Sequence, residues 1–337
     1  MVSSRDVAKE AGVSQPTVSR VLNAPEQVKK ETVDKVQKAI EKLNYRPNVV
    51  ARNLKQKKTK YIALISGPLH NPFFVDSTTA IVNYAKKYGY HTLVYFEEQG
   101  DNLSIYEEVL KQQVDGIILS SIFIDDPIYQ DLVDAQVPFV MFNRRHQSGG
   151  NYVEIDNEKA GQLATNHLLK LGHTKIAWVG GPTYTSTFHG RLSGYRTALE
   201  AVSHPIESDW IKETDTTEDS VVQAVDELLL LPDRPTAILA ATDSMALFCQ
   251  NYLMHLGFQI PENFSICGMD NIDMTNHAAI QMTTLTHHSE KPMGLHAIEH
   301  LIHMMEVDSQ ERKNLQLTLE PKLINRKTTA LNRSNNE

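Results

Sequence analysis

Residues 4–23 read SRDVAKEAGVSQPTVSRVLN. Ser3 and Asp6 stand at capping-box spacing, with Asp in place of the longer Glu. Val7, Ala8 and Ala11 then share one apolar face at helical spacing. Gly12 tolerates the positive φ that ends a helix, and Ser14 is a natural N-cap for the next one. Gln15 and Pro16 fall in the first turn, where proline's missing N–H costs nothing, so Pro16 starts the second helix. Val18, Val21 and Leu22 face inward; Gln15, Thr17, Ser19, Arg20 and Asn23 face out. A third helix, about residues 31–43, repeats the inner pattern with Val33, Val36, Ile40 and Leu43. Three short helices sharing one small core predict a helix-turn-helix domain.

The outer face suits DNA. Arg20 can fork onto the O6 and N7 of guanine, Gln15 can pair with adenine, and Ser14 and Thr17 can reach phosphate or a thymine methyl. A protein-docking bundle is the plain alternative, and charge weighs against it. Residues 1–60 hold 14 Lys+Arg against 6 Asp+Glu, a net +8, while the other 277 hold 19 against 35, a net −16. A basic head on an acidic body predicts that the head meets a polyanion. Residues 46–60, RPNVVARNLKQKKTK, continue it. Asn48 can cap a short helix over about residues 49–55, with Val50, Ala51 and Leu54 in a narrow stripe beside Arg52 and Lys55. So short a helix does not stand alone in water. It is expected to order only with a twin copy in a DNA minor groove, Leu54 wedged between base pairs. A basic linker is the alternative.

At 337 residues the chain needs two or three cores, and 41% hydrophobic with 22% charged residues is the composition of a water-soluble globular protein. No leader pattern and no bilayer-length apolar run is visible, and the two cysteines, Cys249 and Cys267, imply no disulfide framework. A cytoplasmic protein without a membrane segment is expected. Apolar runs YIALIS (61–66), HTLVYF (91–96), DGIILSS (115–121), PFVMFN (138–143), KIAWVGG (175–181), TAILAAT (236–242) and FSICGMD (264–270) alternate with amphipathic stretches. That alternation predicts parallel α/β sheets, two for this length, with ligand residues at strand C-termini: Asn71, Asn143, Thr242 and Asp270. The run VGGPTYTSTFHG lacks dinucleotide and P-loop spacing, and no serine sits in a nucleophile elbow. No catalytic residue and no cofactor are expected. Asp156, Asp243 and Asp270 each follow a strand, so capping is their default reading. His296, His300 and His303 share a helical face in HHSEKPMGLHAIEHLIHMM (287–305); a metal site, a pH sensor and an ordinary helix surface all fit, the last best.

Across DVAKEAGVSQPTVSRVLN and LNYRPNVVARNLKQKKTK the chain closely resembles the lactose/galactose-repressor (LacI/GalR) family of transcription regulators, and the resemblance continues to about residue 329. It implies an N-terminal all-α helix-turn-helix domain (1–47), a hinge helix and linker (48–60) and an α/β two-lobed, periplasmic-binding-protein-like effector and dimerisation domain (61–330). Lobe one would be about 61–155 and 285–313, and lobe two about 156–284 and 314–330; 331–337 would be a polar tail. The family's second helix reads the major groove. Carried over, the DNA-binding set is Ser14, Gln15, Pro16, Thr17, Arg20 and Asn23, with Leu54 the minor-groove wedge and Lys55 its neighbour. Pro16 departs from the family's frequent polar reader and can make only apolar contacts.

The same resemblance implies an effector site. HNPFF (70–74) supplies Asn71 for hydrogen bonding, with Phe73 and Phe74 for a sugar face. GRLSGY supplies Arg191, and GMDN supplies Asp270, placed to accept from two hydroxyls. Asn143 stands where many members have Asp, Arg144 follows as in sugar-type members, Thr187 is another lining position and Thr242 replaces a common Asn. Near residue 216 some members carry an aromatic platform, where this chain reads ETDTTED. His287 or His288 lies where a pocket Gln is frequent. The implied protein is a dimeric repressor bound to a near-palindromic double-stranded DNA operator and modulated by a sugar or sugar derivative. In one family branch a protein co-effector docks on the histidine-rich helix, which stands as the alternative. A sugar-processing enzyme on this scaffold is the weaker rival.

Overall fold

The structure, a computed structural model, describes residues 2–45, 58–69, 71–97, 102–307 and 314–332. The expected hinge helix, with Leu54 and Lys55, lies outside the described residues. Contacts divide the chain into Met1–Thr59 and Lys60–Glu337.

The first unit is built of α1 (Ser4–Ala11), α2 (Gln15–Asn23) and α3 (Lys30–Lys42). The capping box forms: the Ser3 N–H donates to Asp6 Oδ2 at 2.8 Å, and the Asp6 N–H to Ser3 Oγ at 3.4 Å. Gly12 ends α1 at φ +65°. Val7, Ala8, Val18, Val21, Val36 and Ala39 form the core, with Val33, Ile40 and Leu43 packed at its rim.

The second unit is two-lobed. Lobe one contains β1 (Tyr61–Ser66), α4 (Pro72–Lys87), β2 (His91–Phe96), α5 (Asn102–Lys111), β3 (Gly116–Leu119), α6 (Ile128–Asp134), β4 (Phe139–Phe142) and β5 (Tyr152–Ile155). Lobe two follows with α7 (Asn157–Lys170), β6 (Ile176–Gly180), α8 (Ser186–Ala201), β7 (Ile211–Glu213), α9 (Glu218–Leu230), β8 (Ala237–Ala240), α10 (Asp243–His255) and β9 (Ser265–Cys267). The chain ends in β10 (Thr284–His287), α11 (Met293–Glu306), β11 (Gln316–Leu319) and β12 (Pro321–Ile324). Lobe one's sheet runs β11-β5-β4-β3-β1-β2 and lobe two's β7-β6-β8-β9, every pair parallel; β10 and β12 form a separate antiparallel pair. Helices cover both faces of such sheets, so inner strands such as β3 and β8 are apolar throughout.

One expected boundary is corrected. The resemblance implies residues 314–319 in lobe two, yet β11 pairs with β5, from Gln316 opposite Tyr152 to Leu319 opposite Ile155. The β5 edge would otherwise expose unpaired amides; here the Tyr152 N–H reaches Leu315 O at 2.7 Å and the Asp156 N–H reaches Leu319 O at 2.9 Å. No helix among the described residues is long and apolar enough to cross a membrane.

Candidate functional site

On the first unit, the expected readers lie on and just before α2. Ser14 caps it, accepting from the Thr17 N–H at 3.3 Å, and its hydroxyl meets Thr17 Oγ1 at 2.8 Å. Ser14, Gln15, Pro16, Arg20 and Asn23 are exposed and Thr17 is half-buried. Gln15 Nε2 donates to Ser4 Oγ at 3.0 Å and Asn23 Nδ2 to Ser19 O at 2.7 Å. The Arg20 side chain makes no hydrogen bond or ion pair among the described residues, and it is exposed, so its fork is presented outward.

On the second unit, all nine expected effector residues line one cavity between the lobes, about 50 Å³ in this conformation. Asn71 caps α4, and its Oδ1 accepts from the Phe73 N–H at 3.1 Å and from Ser244 Oγ, across the cleft, at 3.2 Å. Phe73 and Phe74 meet edge to face with centroids 5.2 Å apart. Phe74 is the deeper ring, and Gly67 makes its place: a Cβ there would lie 2.4 Å from the ring. Asn143 leaves β4 at φ +66°, and its carbonyl accepts from the Thr187 hydroxyl on α8. Thr242 caps α10, accepting from the Met245 N–H at 3.2 Å. Ordinary ligand pockets start at roughly 300 Å³. Contacts such as Asn71–Ser244 must therefore part to admit a ring.

Two arginines reach this cavity, each already matched by a carboxylate. Arg191 Nη2 donates to Asp270 Oδ1 at 2.9 Å, its Nε to Asn157 Oδ1 at 3.1 Å and its Nη1 to the Ala241 carbonyl. Arg144 Nη1 lies 3.2 Å from both oxygens of Glu97. Burial lifts the Asp270 carboxyl above its usual range, although Arg191 pulls it back.

Sequence reasoning missed five lining residues: Pro68, Phe188, Ser244, Met245 and Thr216, the last noted only for lacking a ring. Ser244 and Met245 open the helix that follows β8, so extending the strand-exit rule by one turn would have found them. Capping holds for Asp156, which accepts from the Lys159 N–H at 3.0 Å. It fails for Asp243, because Thr242 takes the cap. It fails for Asp270 too, which is ion-paired. His287 and His288 do not line the cavity. Of the histidine face, His296 Nε2 meets Ser289 Oγ at 2.8 Å, and the His300 and His303 rings lie 6.4 Å apart. No group of His, Cys, Asp and Glu among the described residues is arranged to hold a metal ion. Both cysteines are free and buried.

Residues 5–48 match the family model described as bacterial regulatory proteins, lacI family. Residues 59–327 match the one described as periplasmic binding proteins and sugar binding domain of LacI family. The chain belongs to the LacI family. A relative from Aliivibrio salmonicida (strain LFI1238), named HTH-type transcriptional repressor PurR, is 33% identical over 97% of this chain and 99% of its own. Among solved structures, a lac repressor dimer bound to operator and the anti-inducer ONPF is 28% identical with a TM-score of 0.84, covering 98% of this chain and 99% of that one. A transcriptional regulator CelR–cellobiose complex is 30% identical with a TM-score of 0.71, covering 97% and 100%. This LacI-family chain is a DNA-binding transcriptional repressor with an effector-binding α/β domain, and not an enzyme.

Proposed function

We propose that the effector is a small uncharged sugar or sugar derivative held between the lobes, and that it modulates a cytoplasmic homodimer bound to a near-palindromic operator. The carrying observation is the charge pairing of the cavity: Arg191 is held by Asp270 and Arg144 by Glu97. A phosphate or acid would have to displace a carboxylate from one of these pairs. A polyol ring needs only what remains: an aromatic side at Phe73 and Phe74, and neutral partners at Asn71, Thr187, Thr216, Thr242 and Ser244. A nucleobase is best held between two aromatic faces, and Thr216 stands where the second platform would be. The cellobiose bound in the CelR structure and the sugar-binding description of the matching family model support the same reading.

The mechanism is linkage. An effector moves operator affinity only by its differential affinity for two states of the lobes, and operator affects effector equally. The test is thermal unfolding of the full chain with ribose, glucose, cellobiose, glucose 6-phosphate and adenine. A neutral sugar at about 100 times its Kd stabilises by about 2.7 kcal/mol. A shift from adenine or the sugar phosphate alone would overturn the reading, and no shift from any compound would favour control by a protein co-effector.

A further inference from the structure

The turn at residues 268–272 is unrelaxed backbone at the edge of the cavity. Asp270 and Asn271 sit at φ +117° and +52°, where an L side chain crowds its own backbone. Such a turn persists only where its surroundings hold it. The Asp243 N–H donates to Met269 O at 2.6 Å, and the Asp270 N–H to Leu285 O at 2.9 Å. The Asn271 N–H reaches Thr284 Oγ1 at 3.3 Å, and the Ile272 N–H reaches Asp243 Oδ2 at 3.0 Å. Thr284 Oγ1 lies 2.5 Å from Asp243 Oδ1, and Arg326 Nη2 holds Asn271 Oδ1 at 2.7 Å. Asp243 thus grips the turn at both ends, by its backbone on one side and its carboxyl on the other. It is wholly buried, and Gly268 makes the room: a Cβ there would lie 2.3 Å from Oδ1.

We propose that Asp243 is a positioning residue for the effector: its buried carboxyl locks the strained turn that aims Asp270 at Arg191 and the cavity. Burial, with the Asp270 carboxylate beside it, pushes Asp243 up to about 7. The charged groups facing it are Asp270, Arg191 and Arg326, and Cys267 is a further titratable neighbour. Asp270 touches a guanidinium while Asp243 touches only neutral donors, so the proton retained by the pair sits on Asp243. A protonated Asp243 donates to Thr284 Oγ1 and still accepts from the Ile272 N–H. The clamp therefore survives in both protonation states while the charge beside Asp270 changes.

The test uses the full chain and has two arms, of which only the second rests on the sugar reading. The first is thermal unfolding between about pH 5.5 and about 8.5. The folded carboxyl titrates well above its ordinary 3.8, so its contribution to stability is present at low pH and lost as pH rises through about 7. Asp243→Asn cannot ionise and presents the same donor and acceptor as the protonated acid, so its Tm gains on wild type as pH rises. A Tm difference independent of pH overturns the proposal. The second arm measures, by calorimetry at about pH 6, affinity for whichever sugar of the panel shifts wild type most. Asp243→Ala and Thr284→Val weaken it by about tenfold or more, while Asp243→Asn stays near wild type. Wild-type affinity in both clamp-cutting variants, or an Asn variant as weak as the Ala one, overturns the proposal. If Asp243→Ala does not fold, Thr284→Val carries this arm. If no sugar binds wild type, the sugar reading falls and the pH arm still decides.

Discussion

Arg20 and Arg191 sit in opposite surroundings. Arg20 is exposed on α2 and free among the described residues to meet a base. Arg20→Ala should weaken operator binding by roughly 1–3 kcal/mol and relax preference at one base pair of each half-site, read by titrating base-substituted operators. Equal weakening on every sequence would make Arg20 a phosphate contact instead. Arg191 is almost wholly enclosed and holds Asp270, Asn157 and the Ala241 carbonyl at once. Arg191→Ala leaves Asp270 as a buried, unmatched carboxylate, a loss on the order of 3–5 kcal/mol in urea unfolding. Its effector response should vanish while effector-free operator affinity stays near wild type. These two side chains were legible in the sequence, Arg20 because an amphipathic helix declares its outer face and Arg191 because its motif resembles the family's. Asp243 was not: a carboxylate after a strand reads locally as a cap, and only the fold brings Ile272 and Thr284 to it.

Helices α7 and α8 carry Asn157 and Arg191, and they pack backbone against backbone. A Cβ at Gly161 would lie 2.1 Å from Arg191 O, and one at Gly194 would lie 2.0 Å from Glu158 O. Gly194→Ala must spread the pair and shift Arg191, so a loss of about 1–3 kcal/mol and a weaker effector response are expected from denaturant titration and operator binding. An unchanged stability would mean that the helices part without strain. The inner strands β1, β3, β4, β6 and β8 were legible because burial on both faces writes them as largely apolar runs; β5, with YVEI, was not, because the buried Glu154 interrupts it. β7, with IKE, and β11, with QLTL, were not: each is a short edge strand, and its outward residues are polar or exposed. The α1–α3 unit was read nearly to the residue, since caps, glycine and proline punctuate it and its core is local.

The assembly expected is a dimer whose two-fold symmetry is mirrored in a near-palindromic operator, and sedimentation showing a stable tetramer at micromolar concentration would contradict it. Thr329 and Ala330 are tied to the rest of lobe two by histidines. His173 Nδ1 meets Thr236 Oγ1 at 2.9 Å and its Nε2 meets Ser265 Oγ and Ala330 O at 3.0 Å, while His167 Nε2 meets Thr329 Oγ1 at 2.9 Å. Burial lowers both rings below their ordinary 6.5, so the stability they contribute is present above that pH and lost as pH falls below it. Tm measured downward from neutral pH should fall, and His173→Asn should flatten the fall; a variant with the wild-type slope would remove His173 from the account. The placement of β11 has a consequence in time. Translation delivers lobe one's first five strands, then every strand of lobe two's sheet, and only then Gln316–Leu319 to complete the first sheet. The sheet begun first is finished last, and on the ribosome the β5 edge waits as an open template for another nascent chain. A polypeptide stopped just before Gln316 should therefore precipitate on expression, although it carries every strand of lobe two's sheet.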